Sequence, residues 1–242
     1  MTASPMAALD NAMWNCLSQD HERYAMGAGA TRRYARGFSP ILGFADPQAP
    51  DFEALNGLAD PGEQFYCEQW TGVPPRGWQL LSEATMLRMW DTGRVALPSP
   101  AQTVPPIGHL RSLDPTDPAD AQRALDLALL TRPGPFGPRT LELGDYVGIF
   151  VEDTLVAMAG ERMQIGVWRE ISGVCCRPEY TGRGLAALLM QQLLRRQRAR
   201  GQRTFLQVMS ANDRARALYE RLGFAVYRAI PVRVVERVAA TT

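Results

Sequence analysis

Residues 170–194, EISGVCCRPEYTGRGLAALLMQQLL, constrain this chain more than any other stretch. They open with strand letters, pass through a turn with glycines at 182 and 184, and continue as an amphipathic helical pattern that Gly201 closes. A strand that feeds a glycine turn at a helix N-terminus leaves the first-turn N–H groups without intrahelical partners. The helix dipole favours negative charge at the same place. Glycine also lets backbone approach an anion with no Cβ in the way. Residues 182–187 therefore read as a cradle for a phosphate-bearing ligand.

Composition narrows the classes. The chain has 242 residues and a formal net charge of +1, so no global field draws it to nucleic acid or to a membrane surface. It contains no lysine, which excludes a Schiff-base lysine and a Walker-type phosphate lysine. Cys16, Cys67, Cys175 and Cys176 lack zinc-ligand spacing, and His21 and His109 stand apart from them, so no metal is expected. The adjacent Cys175 and Cys176 read as small hydrophobes on opposite faces of a strand, not as a disulfide framework. The opening MTASPMAALDNAMW has neither a basic start nor a continuous apolar run, and no stretch approaches membrane-spanning length, so the expected location is cytoplasmic.

Three regions follow from the pattern of the chain. Residues 1–95 read as a smaller α+β domain, with helices expected over 6–24 and 83–90 and shorter aromatic runs such as QFYCEQW. Residues 96–115 are rich in proline and read as a linker. From 116 the order is helix, hairpin, strand, helix, strand, helix, strand, which predicts an α/β domain with a mixed sheet over 116–242.

Two motifs can be written on the glycine turn. Gly182, Gly184 and Ala187 satisfy the dinucleotide pattern G-x-G-x-x-G/A, but RPEYT separates the first glycine from the strand. The next strand, TFLQVMS, also lacks an acidic end for a ribose. The alternative frame is Thr181-Gly182-Arg183-Gly184-Leu185-Ala186, which resembles the [Q/R]-x-x-G-x-[G/A] signature of the GNAT superfamily of N-acetyltransferases, with Thr181 where Gln or Arg is usual. Downstream, residues 212–224, NDRARALYERLGF, match that superfamily's N-x-x-A-x-x-L-Y-E-x-L-G-F at every specified position. The resemblance spans about residues 115–235 and is nearest to a subgroup with a variable N-terminal domain.

The resemblance implies a mostly antiparallel mixed sheet with a splayed central strand pair, flanked by helices. It implies an acyltransferase that moves an acetyl group from acetyl-CoA to a primary amine on a small molecule or peptide, directly and in a ternary complex. Thr181, Gly182, Arg183, Gly184, Leu185, Ala186 and Ala187 would hold the pyrophosphate. Val174, Cys175 and Cys176 would line the pantetheine, and Asn212 would bond the cofactor arm. Tyr219 would be the general acid and Glu170 the base, with Glu142, Glu161 and Asp145 as further carboxylates to weigh. Arg214 or Arg216 would be in range of a phosphate. A homodimer stays open, as does a different class of reading, a non-catalytic acyl-CoA-binding sensor or scaffold. The acceptor amine is not legible.

Overall fold

The computed structural model describes residues 6–99 and 105–239. Its main sheet is assembled from both ends of the chain. The C-terminal part supplies β7 (Tyr146–Val151), β8 (Thr154–Ile165), β9 (Trp168–Cys176), β10 (Arg203–Met209) and β11 (Phe224–Arg237). The earlier part adds β4 (Gln64–Glu68), β5 (Trp78–Asp91) and β6 (His109–Ser112), giving the order β4-β11-β5-β10-β9-β8-β7-β6. Within it the β9–β10 pair is parallel and every other neighbouring pair antiparallel. A separate three-stranded sheet joins β1 (Ala25–Met26), β2 (Thr31–Tyr34) and β3 (Leu42–Phe44).

The sheet crosses the boundaries drawn at 95 and 115. β5 lies between β10 and β11, and β6 forms the far edge from within the proline-rich stretch. The helix expected over 83–90 is strand. Glu, Ala, Met, Leu and Arg favour helix locally, but this segment alternates with period 2. Leu87 and Met89 join the core beneath one helical layer, whereas Arg88 faces the buried Glu68 on the other side. Tertiary pairing outweighs local propensity here. The helix expected over 6–24 is broken into a 3₁₀ turn at Ala7–Leu9, α1 (Ala12–Ser18) and a second 3₁₀ turn at Glu22–Tyr24.

The remaining helices follow their capping chemistry. α2 (Pro118–Thr131) starts with proline in its first turn, and Asp117 accepts from the Ala119 N–H at 2.9 Å. α3 (Leu185–Ala199) follows the glycine turn, and α4 (Asp213–Arg221) is capped by Asn212. One face of the sheet carries α3 and α4, where Leu188, Leu189, Leu193, Tyr219 and Leu222 pack on Ile171, Leu206 and Val208. On the other face α1 packs on Trp168 and Phe205, and α2 packs on Tyr146, Phe150 and Met158.

Two irregularities open the centre. The β9–β10 ladder runs from Trp168–Arg203 to Ile171–Leu206 and stops there, although both strands continue. Between β8 and β9 the register shifts from Gly160–Ser172 to Met158–Cys175, so β9 carries one extra residue at a bulge. Gly173, at φ +62°, sits in it. The bulge resets the alternation, so Ile171, Val174 and Cys176 all face the α3 side, while Cys175 faces α2.

Candidate active site

The glycine turn is built to leave donors free. Gly182 and Gly184 have φ of +78° and +76°, left-handed values that glycine adopts without a Cβ penalty. Among the described residues no backbone N–H from 182 to 187 has a hydrogen-bond partner; the helix ladder starts with Leu188 donating to the Gly184 carbonyl at 3.1 Å. A run of unpaired N–H groups at the positive end of a 15-residue helix is an anion-binding surface.

A cleft of about 440 Å³ starts at this turn. Its walls are Val174, Cys175 and Cys176 from β9, Thr181, Gly182 and Gly184 from the turn, Leu185, Ala186 and Ala187 from α3, and Asn212 and Tyr219 from α4 and its cap. These residues, chosen from the sequence, meet in one cavity. Arg183 does not line it: its guanidinium stacks on Tyr180 at 5.4 Å and donates to the Glu179 carbonyl at 3.3 Å. Tyr180, Arg214, Ala215, Leu218 and Arg221 complete the wall. Arg214, Leu218 and Arg221 fall at i, i+4 and i+7 of α4, a helical stripe legible from spacing. A larger cavity of about 520 Å³, near Phe52, Trp78 and Arg237, contains none of the residues picked out from the sequence.

Tyr219 is 9% exposed, and burial pushes its phenol up to about 12. Its ring packs on Phe224, and its hydroxyl has no hydrogen-bond partner among the described residues. Asn212 Oδ1 accepts from the Ala215 N–H at 3.1 Å, so its side chain caps α4 at the cleft rim. Burial pushes the Cys175 thiol up to about 12 and raises Cys176 as well, which keeps both sulfurs protonated and weakly nucleophilic.

Glu170 lies elsewhere. It is fully buried and outside the cleft wall. Arg162 Nε and Nη2 donate to its two oxygens at 2.9 and 2.6 Å, and Gln207 Nε2 donates at 3.0 Å. The other carboxylates are also engaged away from the cleft. Glu161 accepts from Gln197 at 2.7 Å, Asp145 pairs with Arg200 at 2.9 Å, and Arg139 beside Glu142 holds that carboxyl below its ordinary value. Arg216 pairs with Asp213 at 3.0 Å and does not line the cleft. Among the described residues no group of His, Cys, Asp and Glu is placed to hold a metal ion, and no helix is long and apolar enough to cross a membrane.

This fold has known counterparts. Residues 146–233 match the family model for FR47-like proteins. A protein of Novosphingobium aromaticivorans assigned to the GNAT family of acetyltransferases is similar over 96% of this chain and 99% of its own, with 30% identity and a TM-score of 0.83. At 18% identity, a GCN5-related N-acetyltransferase from Kribbella flavida (98% of each chain, TM-score 0.61) shares the fold. So does a GCN5-related N-acetyltransferase-like protein from Streptococcus suis (93% and 92%, TM-score 0.57). No protein in the curated set matches the chain. The chain belongs to the GNAT family, whose class of reaction is acyl transfer.

Proposed function

We propose that this protein transfers an acetyl group from acetyl-CoA to a primary amine, directly and within a ternary complex, in the cytoplasm. One observation carries the reading: a single cleft joins the unpaired N–H groups of residues 182–187 to the free hydroxyl of Tyr219 along the open edge of β9.

Each wall suits one requirement of the transfer. The N–H groups of the glycine turn suit a pyrophosphate, and the Arg214 and Arg221 side chains that line the cleft add positive charge for phosphate. Past Ile171, β9 has no ladder partner on its β10 side, so its backbone can bond an extended pantetheine arm and donate to a thioester oxygen as charge grows there. Bound there, acetyl-CoA supplies the activated acyl group. Tyr219 keeps its proton at neutral pH and can hydrogen-bond a departing thiolate. The thiol is the stronger acid, so complete transfer runs uphill and is drawn forward by the proton that the attacking nitrogen sheds, which restores the phenol. The buried Cys175 and the half-buried Cys176, both with raised thiols, favour direct transfer over an acyl-cysteine route. Glu170, with both oxygens already bonded, suits a supporting role better than proton abstraction, so the amine enters neutral in this scheme.

Calorimetry with acetyl-CoA, followed by thiol release in the presence of lysine, spermidine, kanamycin and a peptide with a free N-terminus, tests the reading. Binding plus thiol release that depends on one of these amines is expected. Binding with no release above the rate in water would favour a sensor or scaffold instead. No binding at all would overturn both.

A further inference from the structure

On the face of the sheet opposite α3 and α4, Tyr146 carries a hydroxyl with no partner. The residue is 2% exposed, and its oxygen is buried without a hydrogen bond. A buried hydroxyl left unbonded works against stability, and phenylalanine would fill the same volume without that cost. One strand glycine makes room for the ring, and a second lies against it. Tyr146 pairs across the ladder with Gly160, and a Cβ at Gly160 would collide with the Tyr146 ring. At the far end, a Cβ on Gly173 would lie 3.4 Å from Tyr146 Cε1 and 3.8 Å from its hydroxyl oxygen. Gly173 is the bulge residue of β9, where that strand parts from β10.

An orphaned hydroxyl and two glycines inside strands each work against stability, and all three meet at one point. Such local conflicts concentrate where a protein does its work. The point lies on the sheet face opposite α3 and α4, at the bulge behind the open edge of β9. An amine approaching from this face would meet a thioester held at that edge. Phe136, from the loop after α2, packs edge-on against Tyr146 at 6.0 Å and covers the spot; its Cε2 would lie 3.6 Å from a Gly173 Cβ.

We propose that the acceptor amine binds here, displacing Phe136, and that the Tyr146 hydroxyl oxygen accepts one of its N–H bonds and so turns the nitrogen lone pair toward the fork. This rests on the acetyltransferase reading above. Arg162 and Glu170 act on the Tyr146 phenol with opposite sign as a bonded pair, and the setting behind it is polar. Glu161 and Cys175 also face it. The site thus suits a primary amine on a slender arm.

The test is Tyr146→Phe, assayed with whichever of the four amines gives the fastest thiol release from the unaltered protein. The variant is expected to melt at the same or a higher temperature and to bind acetyl-CoA unchanged. Its kcat/KM for the amine should fall at least tenfold, mostly through KM. Phe136→Ala is expected to lower KM for the same amine. Unchanged kcat/KM in Tyr146→Phe, or a melting temperature that falls with it, would overturn the assignment while leaving acetyl transfer intact. If none of the amines supports release by the unaltered protein, the acetyltransferase reading fails first and this one with it.

Discussion

Gln207 donates through Nε2 to Oε1 of Glu170 at 3.0 Å, at the place where β9 and β10 part. The last ladder pair is Ile171 with Leu206, so this side-chain bond reaches across the fork beside the final backbone pair. Gln207 also accepts from Arg88 Nη2 at 2.7 Å, and Arg88 pairs with Glu68. With Arg162 on Glu170, five side chains from β4, β5, β10, β9 and β8 form one polar chain across the sheet. Gln207→Leu leaves a buried carboxylate short of a donor and a buried guanidinium short of an acceptor. The expected loss is about 3 kcal/mol of stability, a fall on the order of 10 °C in Tm for a chain of this size. A thermal melt that does not move would show that the chain is not continuous.

The same network separates two roles for Glu170. Glu170→Gln strands the buried Arg162 and should cost about 3–5 kcal/mol. Replacing both partners, Glu170→Met with Arg162→Met, removes the stranded charge, so stability and acetyl transfer should recover together. A double variant that regains its melting temperature yet stays inactive would restore Glu170 as the base.

How much of this was legible beforehand follows from the range of the forces involved. The glycine turn, α3, Asn212 and Tyr219 belong to one contiguous stretch whose turn chemistry and 3.6-residue period are local, and the structure brings them into one cleft. The splay could be expected from the resemblance; the stop in the ladder at Ile171 shows it. β5 was hidden because its letters favour helix, and only its place between β10 and β11 makes it a strand. β6 was hidden by the prolines around it. The position of Glu170 off the cleft wall was hidden because a carboxylate at a strand end reads as a solvated or catalytic group, and its partners Arg162 and Gln207 come from two other strands. Contacts between distant segments leave no local period to read.

Tyr219 can be isolated from binding. Tyr219→Phe keeps the ring packing on Phe224 and removes only the hydroxyl. A fall of about a hundredfold or more in kcat is expected for loss of a positioned acid, with the affinity for acetyl-CoA unchanged. Because burial holds the phenol near 12, kcat of the unaltered protein should show no alkaline limb from this group below about pH 11. Equal turnover in the variant would remove Tyr219 from the chemistry.

The glycine turn offers a matched control within one helix. Gly184 precedes α3 and Gly201 follows it, at φ of +76° and +67°, and a Cβ on either would meet no atom within 4 Å. Alanine at each position should therefore cost a similar amount, about 1–2 kcal/mol, from left-handed backbone alone. Only Gly184 lines the cleft. Gly184→Ala should weaken acetyl-CoA binding at least tenfold by calorimetry, and Gly201→Ala should leave it unchanged. Equal affinities in the two variants would mean that no ligand backbone or phosphate approaches the turn.

His21 makes the fold sensitive to mild acid. It is 2% exposed, its Nδ1 lies 2.7 Å from the Tyr34 hydroxyl, and burial lowers its pKa from 6.5 to about 4 despite the opposing charge of Asp20. Below about pH 6.5 the unfolded chain takes up a proton on this ring, while the folded chain does not until about pH 4. Stability therefore falls as pH drops through that window, by at most about 1.4 kcal/mol per pH unit and about 3 kcal/mol in all. Glu63, where burial works upward but Arg33, the Asp60 N–H and Arg36 together outweigh it, is pulled to about 2, so its loss begins only below pH 4.5. The interval from pH 6.5 to 4.5 thus belongs to His21 when these two are compared. Denaturant melts across it should show the slope in the unaltered protein and a flatter profile in His21→Gln. A slope of the same size in the variant would assign the acid sensitivity to another group.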